Sequence, residues 1–150
     1  MRIVIGSDHA AYQAKQTLIA FLQELGHEVE DIGAYTDEVP ANDYLEIGAR
    51  VSYAVVTGRA ERGIAMCGSG VGMSMSTNKV PGARAVLCHN LYTAIKSREH
   101  NDANVLVLGS RVTGTDLTKE IVRAWLSTEF GGGRHVPRMA LLTGIEEQYN

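Results

Sequence analysis

The run Cys67-Gly68-Ser69-Gly70-Val71-Gly72 carries the strongest chemical signal in the chain. Its glycines let the backbone turn several amides toward one point, and a helix starting behind them, near Met73, adds partial positive charge. Such a loop suits an anion, either a phosphate or a developing oxyanion. The spacing is neither Gly-x-Gly-x-x-Gly nor the Gly-Lys-Ser/Thr ending of a P-loop, and a plain tight turn explains a lone glycine motif too. Cys67 adds a reactive group. A thiol with a pKa of about 8.5 is only slightly ionised at neutral pH, and a helix N-terminus favours its thiolate. Cys67 therefore reads as a nucleophile or a base, against the plainer reading of a small buried residue. Cys88 has no such loop behind it and reads as structural.

Four further clusters could act on a polar or anionic substrate. Ser7-Asp8-His9 pairs a carboxylate with an imidazole; it can orient the ring, contact a polyol, or simply cap a helix. His100-Asn101-Asp102, preceded by Arg98-Glu99, reads as a loop before a strand, and Gly109-Ser110-Arg111 follows that strand. Arg134-His135-Val136-Pro137-Arg138 places two arginines four apart, a spacing that suits forked donors around a phosphate and equally suits a solvated basic turn. The five histidines (His9, His27, His89, His100, His135) are scattered without His-Glu-x-x-His or Cys-x-x-Cys spacing, so no metal site is expected. His27 and His89 read as element ends.

Elements must place these clusters. A chain of 150 residues, 45% hydrophobic and 21% charged, suits one domain with one core. Three strand candidates, Ile3-Val4-Ile5, Gly63-Ile64-Ala65-Met66 and Asn104-Val105-Leu106-Val107-Leu108, are short apolar runs. Ala83-Arg84-Ala85-Val86-Leu87 is a fourth, and the alternating Glu28–Ile32 reads as an edge strand. Between them lie helical faces: Leu18, Phe21, Leu22 and Leu25, closed by Gly26; Ile47, Val51, Ala54 and Val55; Leu91 to Arg98; Leu117, Ile121, Val122 and Trp125; and a last segment from about Met139 to Tyr149. Strands alternating with helices demand crossovers, hence a five-stranded parallel, doubly wound (Rossmann-like) α/β sheet covered on both faces, a single domain over residues 1–150. Ligands in such sheets bind at the carboxyl ends of the strands, where nearly all the reactive residues fall.

The net charge of -3, from 14 basic and 17 acidic residues, argues against a nucleic-acid surface. Two cysteines out of finger spacing imply free thiols and a reducing compartment. No signal peptide is apparent and no apolar stretch nears the ~20 residues that span a bilayer. A cytoplasmic protein with no membrane partner is expected.

Taken together, Gly6-Ser7-Asp8-His9-Ala10, Cys67-Gly68-Ser69-Gly70-Val71-Gly72, Asn78-Lys79, Arg84-Ala85, Arg98-Glu99-His100-Asn101-Asp102-Ala103-Asn104-Val105-Leu106, Gly109-Ser110-Arg111 and Gly132-Gly133-Arg134-His135 resemble the type B ribose-5-phosphate isomerases and the related galactose-6-phosphate isomerase subunits, in order and over essentially the whole chain. The resemblance implies an aldose-ketose isomerase working through an enediolate without a cofactor. It implies Cys67 as the base between carbons 2 and 1, the amides of Gly68, Gly70, Val71 and Gly72 around the enediolate oxygens, and Ser69 as a proton shuttle. It implies His100 as the ring opener aided by Asp8. His9, Arg134 and Arg138 would hold the phosphate, with Asn101 and Arg111 as further contacts. It also implies a homodimer or dimer of dimers, with His100 facing another subunit's Cys67. One departure bears on the sugar: the family often has Asp-Tyr-Pro where this chain has Asp43-Tyr44-Leu45, after an unfamiliar stretch over residues 36–42. Rivals are an isomerase for an allose, galactose or erythrulose phosphate, a non-catalytic nucleotide-binding module, and an inert partner subunit. Pocket length would separate the first from a pentose enzyme. The glycine spacing argues against the second, and the retention of Cys67, His100 and both arginines argues against the third.

Overall fold

The computed structural model describes residues 1–38 and 44–149; Asp43 and residues 39–42 of the unfamiliar stretch lie outside the described residues. The strands are β1 (Arg2–Ser7), β2 (Glu28–Asp31), β3 (Arg62–Cys67), β4 (Ala85–Leu87) and β5 (Val105–Gly109). The helices are α1 (Tyr12–Glu24), α2 (Tyr44–Val56), α3 (Val71–Thr77), α4 (Leu91–Asn101), α5 (Thr115–Ser127) and α6 (Val136–Tyr149), with 3₁₀ turns at His9–Ala11 and Gly133–His135. All strand pairs are parallel and the order is β2-β1-β3-β5-β4. The doubly wound sheet expected from the alternation is present, and β2 is at an edge.

Alternation along each strand divides the core between two faces. Ile3, Ile5, Ile64, Met66, Leu106 and Leu108 pack on one face with Leu18 and Leu22 of α1, Ala94 of α4, and Ile121 and Trp125 of α5. Val4, Ala65, Val105 and Val107 pack on the other with Ile47 and Val51 of α2 and Met73 of α3. A fully buried aliphatic side chain stabilises by about 1.5–3 kcal/mol. That packing, rather than propensity, holds a helix as short as α3. The chain leaving β1 therefore turns to one face and the chain leaving β3 to the other, which opens a crevice between them at the carboxyl edge.

Several boundaries differ from the sequence reading by a residue or more, and three of them have a visible cause or bear on the site. β4 starts at Ala85, not Ala83, because the Arg84 N–H donates to Asn104 Oδ1 (2.8 Å) and Ala83 N–H to Val80 O (3.0 Å) instead of to a neighbouring strand. α3 starts at Val71, two residues before Met73, with the left-handed Gly70 as its cap. The segment before β5 is not a loop: α4 continues through His100 and Asn101 and ends at Asp102, itself left-handed (φ 46°). Among the described residues no helix is long and apolar enough to cross a membrane.

Candidate active site

The ends of β1, β3 and β5 are tied into one platform. Asp8 N–H donates to Met66 O (3.2 Å), Ser110 N–H to Cys67 O (2.9 Å) and Arg111 N–H to Gly68 O (2.9 Å). Above it lies a cleft of about 380 Å³ lined by Asp8, His9, Ala10, Tyr44, Cys67, Gly68, Ser69, Gly72, Arg111 and Val112. Most of the predicted site thus converges in one chain. Asp8 takes the capping role that its sequence allowed. Its Oδ1 accepts the Ala11 N–H (3.0 Å), capping the 3₁₀ turn, and it also faces the cleft.

The Cys67 side chain sits against its own loop. Its Sγ accepts the Gly70 N–H at 3.1 Å, and the Val71 N–H donates to Ser69 Oγ at 3.3 Å. Gly70 makes this geometry accessible, since φ 80° is a conformation that side chains disfavour. An amide N–H is thus aimed at the sulfur, and the start of α3 lies directly behind it. Cys88 is the contrasting case: burial pushes its thiol up, opposed only in part by Thr93 and Ser97. The Arg111 side chain lies over Gly68, so that a methyl group there would touch its Cδ and Nη1 at 3.4 Å.

Tyr44, like Ala10 and Val112, is a cleft residue that the sequence reading did not assign. Its ring lies on Gly72 so closely that a Cβ there would meet Cε2 at 2.5 Å. The signal was present in the departure at Asp43-Tyr44-Leu45, but only the fold shows that α2 brings its first residue to the glycine loop.

His100, Asn101, Arg134 and Arg138 are elsewhere. α4 leaves the carboxyl edge after β4 and ends before the start of β5, so His100 and Asn101 lie at the amino edge of the sheet. Cys67 pairs with Gly109, the last residue of β5, and the strand from Val105 to Gly109 alone spans about 13 Å. At that far edge the Arg98-to-Asp102 run divides in two. Arg98 turns inward, donating to Asp102 Oδ1 (2.8 Å), Ala103 O (2.6 Å) and Thr128 O (3.2 Å), and Arg84 grips the other oxygen of Asp102 (3.0 Å). His100 turns outward; its Nε2 lies 3.7 Å from Glu99 Oε2 and its ring stacks on His135. The Gly131 N–H donates to Glu99 O (2.9 Å), holding the glycine run, and so the turn bearing Arg134, against α4. Arg134 and Arg138 are exposed and have no hydrogen bond or ion pair among the described residues. A larger hollow of about 460 Å³ between α6, β4 and α4 contains only Asn101 of the predicted set, and it lies away from the thiol.

A family model for ribose/galactose isomerases matches residues 3–142. The chain belongs to that family. It is 44% identical to ribose-5-phosphate isomerase B of Escherichia coli, covering 99% of both chains. It is 40% identical to a D-erythrulose-4-phosphate isomerase of Pectobacterium atrosepticum, covering 99% of this chain and 97% of that one. A solved ribose-5-phosphate isomerase B of Clostridium thermocellum superposes with a TM-score of 0.96 at 49% identity, over 100% of each chain. The protein is an enzyme, a sugar-phosphate isomerase.

Proposed function

We propose that the enzyme interconverts ribose 5-phosphate and ribulose 5-phosphate through a cis-enediolate, without a cofactor, at a site shared by two copies of the chain. The observation that carries this reading is the Cys67 sulfur, at the carboxyl edge of β3, facing a cleft and accepting the Gly70 amide. In the forward direction Cys67 takes the proton from carbon 2 and returns it to carbon 1. The oxygen on carbon 1 gains a proton as that on carbon 2 loses one, with Ser69 relaying between them. Amides of the Gly68–Gly72 loop stabilise the intervening charge. His100 opens the sugar ring with Asp8 beside it, His9, Arg134 and Arg138 hold the phosphate, and Asn101 and Arg111 complete the contacts.

Because one chain puts Cys67 and His100 at opposite edges of its sheet, the carboxyl edge of one copy must meet the amino edge of another. Exposed apolar side chains support such a pairing: Val71 and Met75 on α3, and Leu141, Leu142, Ile145 and Tyr149 on α6, a helix with no buried residue. Two free cysteines suit a cytoplasmic enzyme. A second reading, another sugar phosphate as substrate, is favoured by the Pectobacterium relative for a tetrose and by the family description for a hexose, with Tyr44 in the cleft wall as a residue that could set the choice.

The test is turnover of four-, five- and six-carbon aldose phosphates by wild type, Cys67→Ala, Cys88→Ala and His100→Asn. Ribose 5-phosphate activity that disappears with Cys67 and survives loss of Cys88 is expected; activity confined to another sugar replaces the substrate and keeps the mechanism. Mixing Cys67→Ala with His100→Asn chains restores about a quarter of wild-type activity if a two-fold dimer shares its sites, since half the dimers then contain one intact site. No recovery in subunits shown to exchange refutes the sharing.

A further inference from the structure

His135 has no part in the reaction as described, yet its ring lies directly against that of His100. The two rings stack with centroids 4.3 Å apart and planes 15° from parallel. His135 is buried, 7% exposed, whereas the His100 side chain is 33% exposed. The buried Nδ1 of His135 has no hydrogen-bond partner among the described residues, so nothing bonds to that nitrogen to stabilise a charged ring. The glycine run that leads into its turn is held to α4 by the Gly131 N–H to Glu99 O bond.

We propose that His135 is a positioning residue for His100: its ring is a flat, neutral platform that fixes the plane of the His100 imidazole. The proposal rests on the reading of His100 as the ring opener. Ring opening removes the proton of the carbon 1 hydroxyl, breaks the bond from carbon 1 to the ring oxygen, and returns a proton to that oxygen. One imidazole can serve both transfers only if its nitrogen-bearing edge stays aimed at the sugar. On the exposed last turn of α4 a histidine has several rotamers open to it; a platform under one face removes most of them.

The charges facing the pair come from α4, the 3₁₀ turn and α6. Two cationic rings at this distance would repel strongly. Burial first, and then His100, Arg134 and Arg138, hold the His135 imidazole below its ordinary value, against an opposing pull from Glu99. Glu99, kept ionised chiefly by its bond from Lys96, lies on the His100 side of the stack.

Ring opening can be watched alone in Cys67→Ala protein, where isomerisation stops. Exchange NMR on ribose 5-phosphate labelled at carbon 1 reads the interconversion of its anomers, and calorimetry reads its binding. The Cys67→Ala protein should speed anomer exchange. Adding His135→Ala should cut that acceleration by about an order of magnitude or more, the scale of a small misplacement, with binding retained. Adding His135→Phe, which keeps a flat neutral ring, should recover most of it with the same pH profile. Undiminished exchange in His135→Ala overturns the proposal, and so does exchange in folded His135→Phe as slow as with His100→Asn. A profile displaced by about one pH unit in His135→Phe overturns the neutral assignment, because it means that His135 carries charge beside His100. If the Cys67→Ala protein binds the sugar and speeds nothing, the ring-opening role of His100 falls, while wild-type turnover still judges the isomerase reading.

Discussion

Replacing Gly70 by alanine tests whether the glycine loop is shaped for its chemistry or merely tolerates it. At φ 80° a Cβ is strained wherever it points, at about 1–2 kcal/mol. This one would also lie 2.4 Å from Leu87 Cδ1, 3.2 Å from the Leu108 carbonyl carbon and 3.3 Å from the Gly109 nitrogen. Leu87 can rotate away, but the β5 backbone, paired to β3 through Leu108 and Gly109, cannot. Overpacking of this kind adds about 1–3 kcal/mol. A loss of about 3 kcal/mol in a chain of 150 residues lowers the melting temperature by roughly 6–12 °C. The part of the strain relieved by lifting the loop off β5 moves the Gly70 N–H away from Cys67 Sγ, so turnover should fall as well, by about fivefold or more for one hydrogen bond. The assays are a thermal melt and steady-state turnover, with Gly114→Ala as the control, because a Cβ there meets nothing within 4 Å. A Gly70→Ala protein that melts within ~2 °C of wild type and turns over normally would refute the reasoning.

Other consequences are equally direct. Lys15 is fully buried and donates to Asp31 Oδ1 and Ala34 O, each at 2.5 Å; burial pulls its amine down while Asp31 holds it up. Asp31→Ala should therefore cost about 3–5 kcal/mol by stranding a buried charge, more than Lys15→Met in the same denaturant titration; the reverse order would mean that the ammonium is not buried as described. Burial holds the imidazoles of His135 and His27 below 6.5, so the unfolded chain takes up those protons first. Their contribution to stability is full above pH 6.5 and falls as the pH drops from there through their folded values; denaturation midpoints should decline over that window, less steeply in His135→Phe, and a flat profile would contradict it. Gly72→Ala should push the Tyr44 ring off the loop and alter the ranking of sugar phosphates more than the melting temperature; an unchanged ranking would remove Tyr44 from the specificity argument.

The legible parts of the molecule were those that hydrophobic period determines. Ile3 and Ile5 against Val4, and Leu106 and Leu108 against Val105 and Val107, signal strands covered on both faces, and the structure divides them accordingly. Given a parallel sheet, the loops after β1, β3 and β5 had to meet, which is why Asp8, Cys67 and Arg111 were found together. The end of α4 was missed for a physical reason. Its last turns, Lys96-Ser97-Arg98-Glu99-His100-Asn101, contain no apolar residue to show a period. They are held by the inward Arg98, which satisfies Asp102, Ala103 and Thr128 while lying 5.8 Å from the centre of the Trp125 ring. A buried arginine doing the packing of a leucine has no signature in composition. The stack of His135 on His100 is equally silent, since 35 residues separate the two rings in sequence and only the tethered glycine run brings them together.

A site divided between the two sheet edges, as proposed, would make concentration a kinetic variable. A parallel sheet collects strand ends, and the helix starts that follow them, at its carboxyl edge, where amide N–H groups point outward. It collects helix ends at the opposite edge, where α4 stops and the exposed Arg134 and Arg138 follow. As proposed, charge stabilisation and proton transfer at carbons 1 and 2 use the first edge, and ring opening and phosphate capture use the second. No hinge within one chain can join them, because the five strands form a continuous hydrogen-bonded layer between. A two-fold pairing joins them twice per dimer with the same contacts. Specific activity should then fall on dilution in parallel with the fraction of dimer measured by sedimentation, and the Arg134→Ala and Arg138→Ala proteins should lose affinity for the phosphate without losing dimer. Activity that persists undiminished in monomer would place every necessary group in the cleft of a single chain, and would remove His100 and both arginines from the reaction.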